Sequence, residues 1–131
     1  MESVPEKSRK VTDYRDLNVW KLSMDLATDI YEITRAFPRE EMFGMTAQMR
    51  RAAVSIPANI AEGFGRAQRK SFIQFLRIAQ GSLKELETHS RLAARVGFLD
   101  AERSASLTAR YEGLGKMMVS FIRALEKRGS Q

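Results

Sequence analysis

The chain has 131 residues and a mass of 14.9 kDa, with 44 % hydrophobic and 29 % charged residues. That is one folded domain with a sizeable core, not a disordered or low-complexity chain. There is no cysteine and one histidine, which excludes disulfides, thiolate metal sites, cysteine nucleophiles and multi-histidine metal centres. Lys plus Arg number 22 against 16 for Asp plus Glu, leaving a net charge of +6 that suits an acidic partner.

Residues 1–13 are polar and mixed in charge, and they read as a mobile tail before a helical domain over 14–128. They lack the apolar core of an export signal. No later run approaches the ~20 apolar residues that span a bilayer. The expected compartment is the cytoplasm, with no membrane partner.

The spacing predicts a first helix from Asp16 to Ala36. Leu17, Trp20, Met24, Ala27, Tyr31 and Thr34 form one stripe, and Val19, Leu22, Leu26, Ile30, Ile33 and Phe37 a second beside it. Together they exceed the ~100° face that a monomeric bundle buries. The excess favours an oligomer, although a wide core would also absorb it. Pro38 ends the helix. A second helix is predicted from Met45 to Glu62, kinked at Pro57, with Met42, Met45 and Met49 as core filler. Gly63 is expected in the left-handed conformation that closes a helix, with Gly63–Phe64–Gly65 reversing the chain. The third helix should run from Ala67 to Val96 and stop at Gly97. Asp100 is a good N-cap for a fourth, which reaches Lys127 and is softened by Gly113 and Gly115. No segment alternates as a strand. The fold class is all-α, an up-and-down antiparallel four-helix bundle.

Two constellations stand out. Lys70, Arg77, Lys84 and Arg91 recur every seven residues on helix three, so they share one face along roughly 30 Å. Arg66, Arg69 and Arg95 extend them, and residues 63–95 carry 7 basic and 2 acidic residues, or +5. Such a row can track the phosphates of a nucleic-acid backbone. It reads equally as a solvated face with pairs such as Glu87–Arg91. The second is a polar stripe on helix two: Gln48, Arg51, Ser55, Asn59 and Glu62. It reads either as a wet surface or as a hydrogen-bonded seam between subunits. Arg50 and Arg51 are also within reach of phosphate.

Catalytic chemistry finds little to build on. His89 has Glu85 one turn before it, but no nucleophile, metal-ligand set or oxyanion element accompanies them. Glu40–Glu41 lies in a connection with no acidic partners for a metal. No phosphate-binding loop or dinucleotide fingerprint is present. The expected catalytic, metal and cofactor sets are empty.

The stretch QMRRAAVSIPANIAEGFGR, Gln48 to Arg66, resembles the signature of the four-helix-bundle proteins encoded within intervening sequences of 23S ribosomal RNA genes. DLNVWKLSMDLATDIYEIT at 16–34, FP at 37–38, FIQFLRIAQGSLKELETH at 72–89 and RVGFLD at the end of helix three fit the same family. The resemblance covers residues 14–127 and is most specific at 55–63 and 79–86. It implies a bundle that assembles into a homo-oligomeric ring, often a pentamer. It also implies an interface or structural role for Gln48, Ser55, Asn59, Glu62 and Gly63. The related accessory variability proteins of diversity-generating retroelements are basic barrels that associate with a reverse transcriptase and with nucleic acid, which implies both as partners here. The expected protein is therefore a non-enzymatic oligomer that binds structured RNA or an RNA–DNA intermediate through backbone contacts. The competing expectation is a scaffold whose basic face docks an acidic protein.

Overall fold

The computed structural model describes residues 11–129. They form four helices: α1 (Asn18–Thr34), α2 (Met45–Gly65), α3 (Arg69–Arg95) and α4 (Ala101–Gly129). Short 3-10 turns at Tyr14–Asp16 and Arg39–Glu41 precede α1 and α2, and no strand occurs among the described residues. Of the expected tail, residues 1–10 lie outside the described residues. Val11 already packs against the core, and Asp13 caps the first turn through the Arg15 backbone N–H.

Each helix buries one face of its sequence pattern. Leu26 and Ile30 of α1, Ile56 and Ile60 of α2, Leu76 and Leu86 of α3, and Leu107 and Met118 of α4 make the centre of the core. Cross-helix partners descend one helix as they climb the next. Ser55 meets Ser82 and Gly63 meets Phe75 between α2 and α3; Leu83 meets Gly115 and Arg77 meets Glu126 between α3 and α4. Asp29 of α1 accepts from Arg110 of α4 and closes the ring of four helices. Neighbours are thus antiparallel, as the short connections require.

The helix ends follow local chemistry. After α3, Gly97 takes φ +88. The Phe98 N–H donates to the Ala93 carbonyl at 2.8 Å, and the Gly97 N–H to Ala94 at 3.2 Å. This is the paired-bond C-terminal motif that needs a left-handed glycine. Phe98 then packs on Phe37, with ring centroids 5.5 Å apart. At the start of α4, the Asp100 carboxylate accepts from the Arg103 N–H at 2.7 Å, as an N-cap should. At the start of α2, Glu41 accepts from the Met45 N–H at 3.0 Å. Glu41, one of the acidic pair at 40–41, therefore has a structural use.

Gly63 departs from expectation. It is a buried residue inside α2, which runs on to Gly65 and through Pro57. The chain reverses at 66–68, and the positive φ falls on Ala67, at 61°. Gly63 serves close packing instead. A Cβ there would lie 2.5 Å from the Cβ of Phe75 and 3.1 Å from Phe72 Cδ1. The methionines divide as well: Met49 is buried and Met45 half-buried, while Met42 is exposed beside the fully exposed Phe43. The doubled apolar surface of α1 mostly enters the core, but Leu22, Met24 and Tyr31 stay exposed.

One polar atom in the core has no partner. The Tyr111 hydroxyl is buried without a hydrogen bond among the described residues. Burial pushes its phenol up to about 12; the nearby Ser90 hydroxyl opposes this, without reaching it in bonding geometry. The folded-state value lies above the roughly 10 of a free tyrosine. Stability linked to this group is therefore at its full value below about pH 10, where the phenol is neutral in both states, and it falls as pH rises through about 12.

Two outcomes are expected in urea unfolding. Gly63→Ala destabilises by roughly 1–3 kcal/mol, because overpacking exceeds the usual helix gain of alanine. Tyr111→Phe is at least as stable as the parent at neutral pH, and it lacks the parent's loss of stability between pH 10 and 12.

Candidate nucleic-acid interface

The seven-residue spacing on α3 does what helical geometry requires. Lys70, Arg77, Lys84 and Arg91 are all exposed on α3. Their charges are not equally available. Arg77 donates to Glu126 of α4 at 2.7 Å. Glu87 lies between Lys84 and Arg91, at 3.4 and 3.0 Å. The Arg91 hydrogen bond, more than the burial that opposes it, holds the Glu87 carboxyl below its ordinary range. Lys70 makes no ion pair among the described residues. Arg66 stacks on the Phe75 ring at 5.2 Å. Arg69 lies against Gly129 at the C-terminus of α4, where the helix dipole favours a cation.

One member of the stripe, Lys84, also lines a larger feature. Between α3 and α4 runs an open groove of about 810 Å³. Lys84 stands on the α3 side, and Lys116 and Arg123 on the α4 side. Glu112 is the one carboxylate among the residues lining it. Lys116 and Arg123 make no ion pair among the described residues. They were not singled out by the sequence reading, yet their own spacing of seven carried the same signal as the row on α3.

The polar stripe of α2 divides. Ser55 and Asn59 are half-buried and bonded within the chain. The Ser55 and Ser82 hydroxyls share a hydrogen bond of 2.8 Å across the α2–α3 seam. Asn59 Nδ2 donates to the Ser55 carbonyl at 2.8 Å and to its hydroxyl at 3.0 Å. Gln48 is half-buried, and Arg51 and Glu62 are exposed. Arg50 is engaged elsewhere. Its Nε donates to Thr34 at 2.9 Å and its Nη2 to the Tyr31 carbonyl at 3.4 Å, over the Tyr31 ring. It closes the C-terminal end of α1 and is not free for phosphate. His89 Nε2 is 3.5 Å from Glu85, as its spacing suggested. No group of three metal-ligating side chains occurs among the described residues.

Fold and face together define a small all-α protein: four antiparallel helices with one grooved, basic side. The chain belongs to the 23S rRNA-intervening sequence protein family, whose model matches residues 15–120. It is similar to a crystal structure from Bacteroides thetaiotaomicron, of a protein with unknown function from the S23 ribosomal protein family. The two share 28 % identity and a TM-score of 0.74, over 80 % of this chain and 95 % of the other. No curated protein matches. No helix is long and apolar enough to cross a membrane among the described residues.

The α2–α3 seam generates one expectation. A double-mutant cycle of Ser55→Ala and Ser82→Ala, followed by urea unfolding, should give a coupling of about 1 kcal/mol. Additive losses would mean that the two hydroxyls do not depend on each other.

Proposed function

We propose that the protein is a non-enzymatic nucleic-acid-binding bundle that holds phosphates along its α3–α4 side. One observation carries the reading. Lys116 and Arg123, which make no ion pair among the described residues, line one groove with Lys84, and Glu112 is the one carboxylate in its lining, Glu87 standing beside Lys84 outside it. Arg66, Arg69 and Lys70 extend the basic surface at the α2–α3 turn, while Arg77, Arg91 and, at the longer distance of 3.4 Å, Lys84 are each partly offset by a carboxylate beside them. Contacts of this kind go to the backbone and carry little sequence information.

We further propose a homo-oligomeric ring, with a pentamer favoured, in the cytoplasm. Support comes from the other side of the bundle. Met24, Tyr31 and Val54 are exposed apolar residues that line a second groove, between α1 and α2. Exposed apolar surface of this kind marks a contact site. Gln48, Arg51 and Glu62 remain the polar residues of α2 that are available to such an interface. A ring repeats the basic side around its circumference and strengthens its field. A reverse transcriptase is the protein partner that the family resemblance brings to this reading.

Fluorescence anisotropy across a salt series tests the nucleic-acid reading. Lys84→Glu/Lys116→Glu/Arg123→Glu should weaken binding at least about tenfold and flatten the salt slope by about 2 for a single strand. Lys21→Glu/Arg39→Glu/Arg103→Glu changes charge equally at exposed positions that line neither groove and should lose far less. Equal losses would assign binding to net charge alone. No binding by the parent near physiological salt would favour the basic side as a dock for an acidic protein.

A further inference from the structure

We infer that the α3–α4 groove takes single-stranded nucleic acid, with an unstacked base on its floor and the adjoining phosphates on its rim. This rests on the nucleic-acid reading above and specifies the form of the strand. The starting observation is a cost without an internal return. A glycine inside a helix is unfavourable by roughly 1 kcal/mol relative to alanine. Gly63 has a reason to be glycine, since a Cβ there would collide with Phe75. Gly81 and Gly115 do not. A Cβ at Gly81 would meet nothing within 4 Å, and one at Gly115 would meet only Leu83 Cδ2, at an ordinary 3.7 Å. Both glycines line the groove. The space they leave opens onto the groove, where something outside the chain can use it.

The chemistry of the groove selects the occupant. Its floor includes Leu83 and the half-exposed Val119, and its rim carries Lys84, Lys116 and Arg123. A duplex keeps its bases stacked inside and offers phosphates on a convex surface. It would touch the rim and leave the floor idle. An unstacked nucleotide places a flat, largely apolar face a few ångströms from a phosphate, and so uses both. The volume of about 810 Å³ is within the range of sites that enclose small ligands. A protein helix would also exploit missing Cβ atoms, but it would have to bury the rim cations, which is costly unless its own face is acidic.

The test compares a short oligouridylate with an RNA duplex of equal phosphate count, by anisotropy on the full chain. Gly81→Ala and Gly115→Ala should raise the unfolding midpoint while weakening oligouridylate binding about tenfold. Duplex binding should stay within about twofold. Gly113→Ala is the matched control. Its glycine is equally unhindered but lines the groove between α1 and α4. It should gain stability and leave both ligands unaffected. If the groove variants leave oligouridylate binding unchanged while the rim charge reversals weaken it, the inference is overturned and the phosphate reading survives. If the parent binds neither ligand, both fall. If the groove variants instead reduce the mass measured by light scattering, the occupant is a second copy of the chain, and the inference is again overturned.

Discussion

The close approach of α2 and α3 at Gly63 sets the geometry of the molecule. No larger residue fits between the α2 backbone and the Cβ of Phe75, so the two helices are in tight contact there. Phe72 also enters this contact and stacks edge-on against Phe64 and Phe121. It therefore ties the tight pair to α4. Above this point the Ser55–Ser82 hydrogen bond keeps the seam narrow with small polar side chains. Helix α3 is fixed by its contact with α2. On the other flank of α3, Leu83 reaches Gly115 of α4, and the glycines at 81 and 115 leave an open groove over that contact. A tight seam on one side of α3 and an open one on the other thus come from the same helix.

Charge is distributed over this frame unevenly. Counting cations along α3 overstates the field on that helix, because Glu87 and Glu126 stand beside its middle and upper members. Exposed pairs of this kind add at most about 1 kcal/mol of stability, so their larger effect is to offset charge that a phosphate would otherwise meet. The balance shifts to the side shared with α4, where Lys116 and Arg123 stand without such partners among the described residues. Arg50 shows the opposite fate for a basic residue. Three contacts at the end of α1 turn it into a structural clasp.

The helices were legible because their apolar residues recur at helical spacing and their stops are chemically explicit. Gly97 and Asp100 behave as their residue types require. Gly63 was misread because a glycine near a helix end fits two needs, a left-handed turn or a close contact, and only the position of Phe75 decides between them. Ala67, not a glycine, carries the positive φ at that turn, so residue type gave no signal. The row on α3 was legible as a face. Its partial neutralisation was not, since Glu126 lies 49 residues away from Arg77. A long separation in sequence also hid the α4 wall of the groove. Ser55 and Asn59 read from spacing either as a wet surface or as a seam between subunits, and sequence alone could not show that they bond within one chain. Family membership and the related Bacteroides thetaiotaomicron structure fix the architecture. The chemistry has to be argued from the side chains themselves.

Amide chemical-shift mapping during titration with single-stranded RNA tests the central claim most directly, because it locates the ligand without altering the protein. The account places the largest shifts on α3 around residues 77–91 and on α4 around 112–123, with those of Gly81 and Gly115 among the first to move. Shifts confined to the α1–α2 side, around Met24, Tyr31 and Val54, would contradict it.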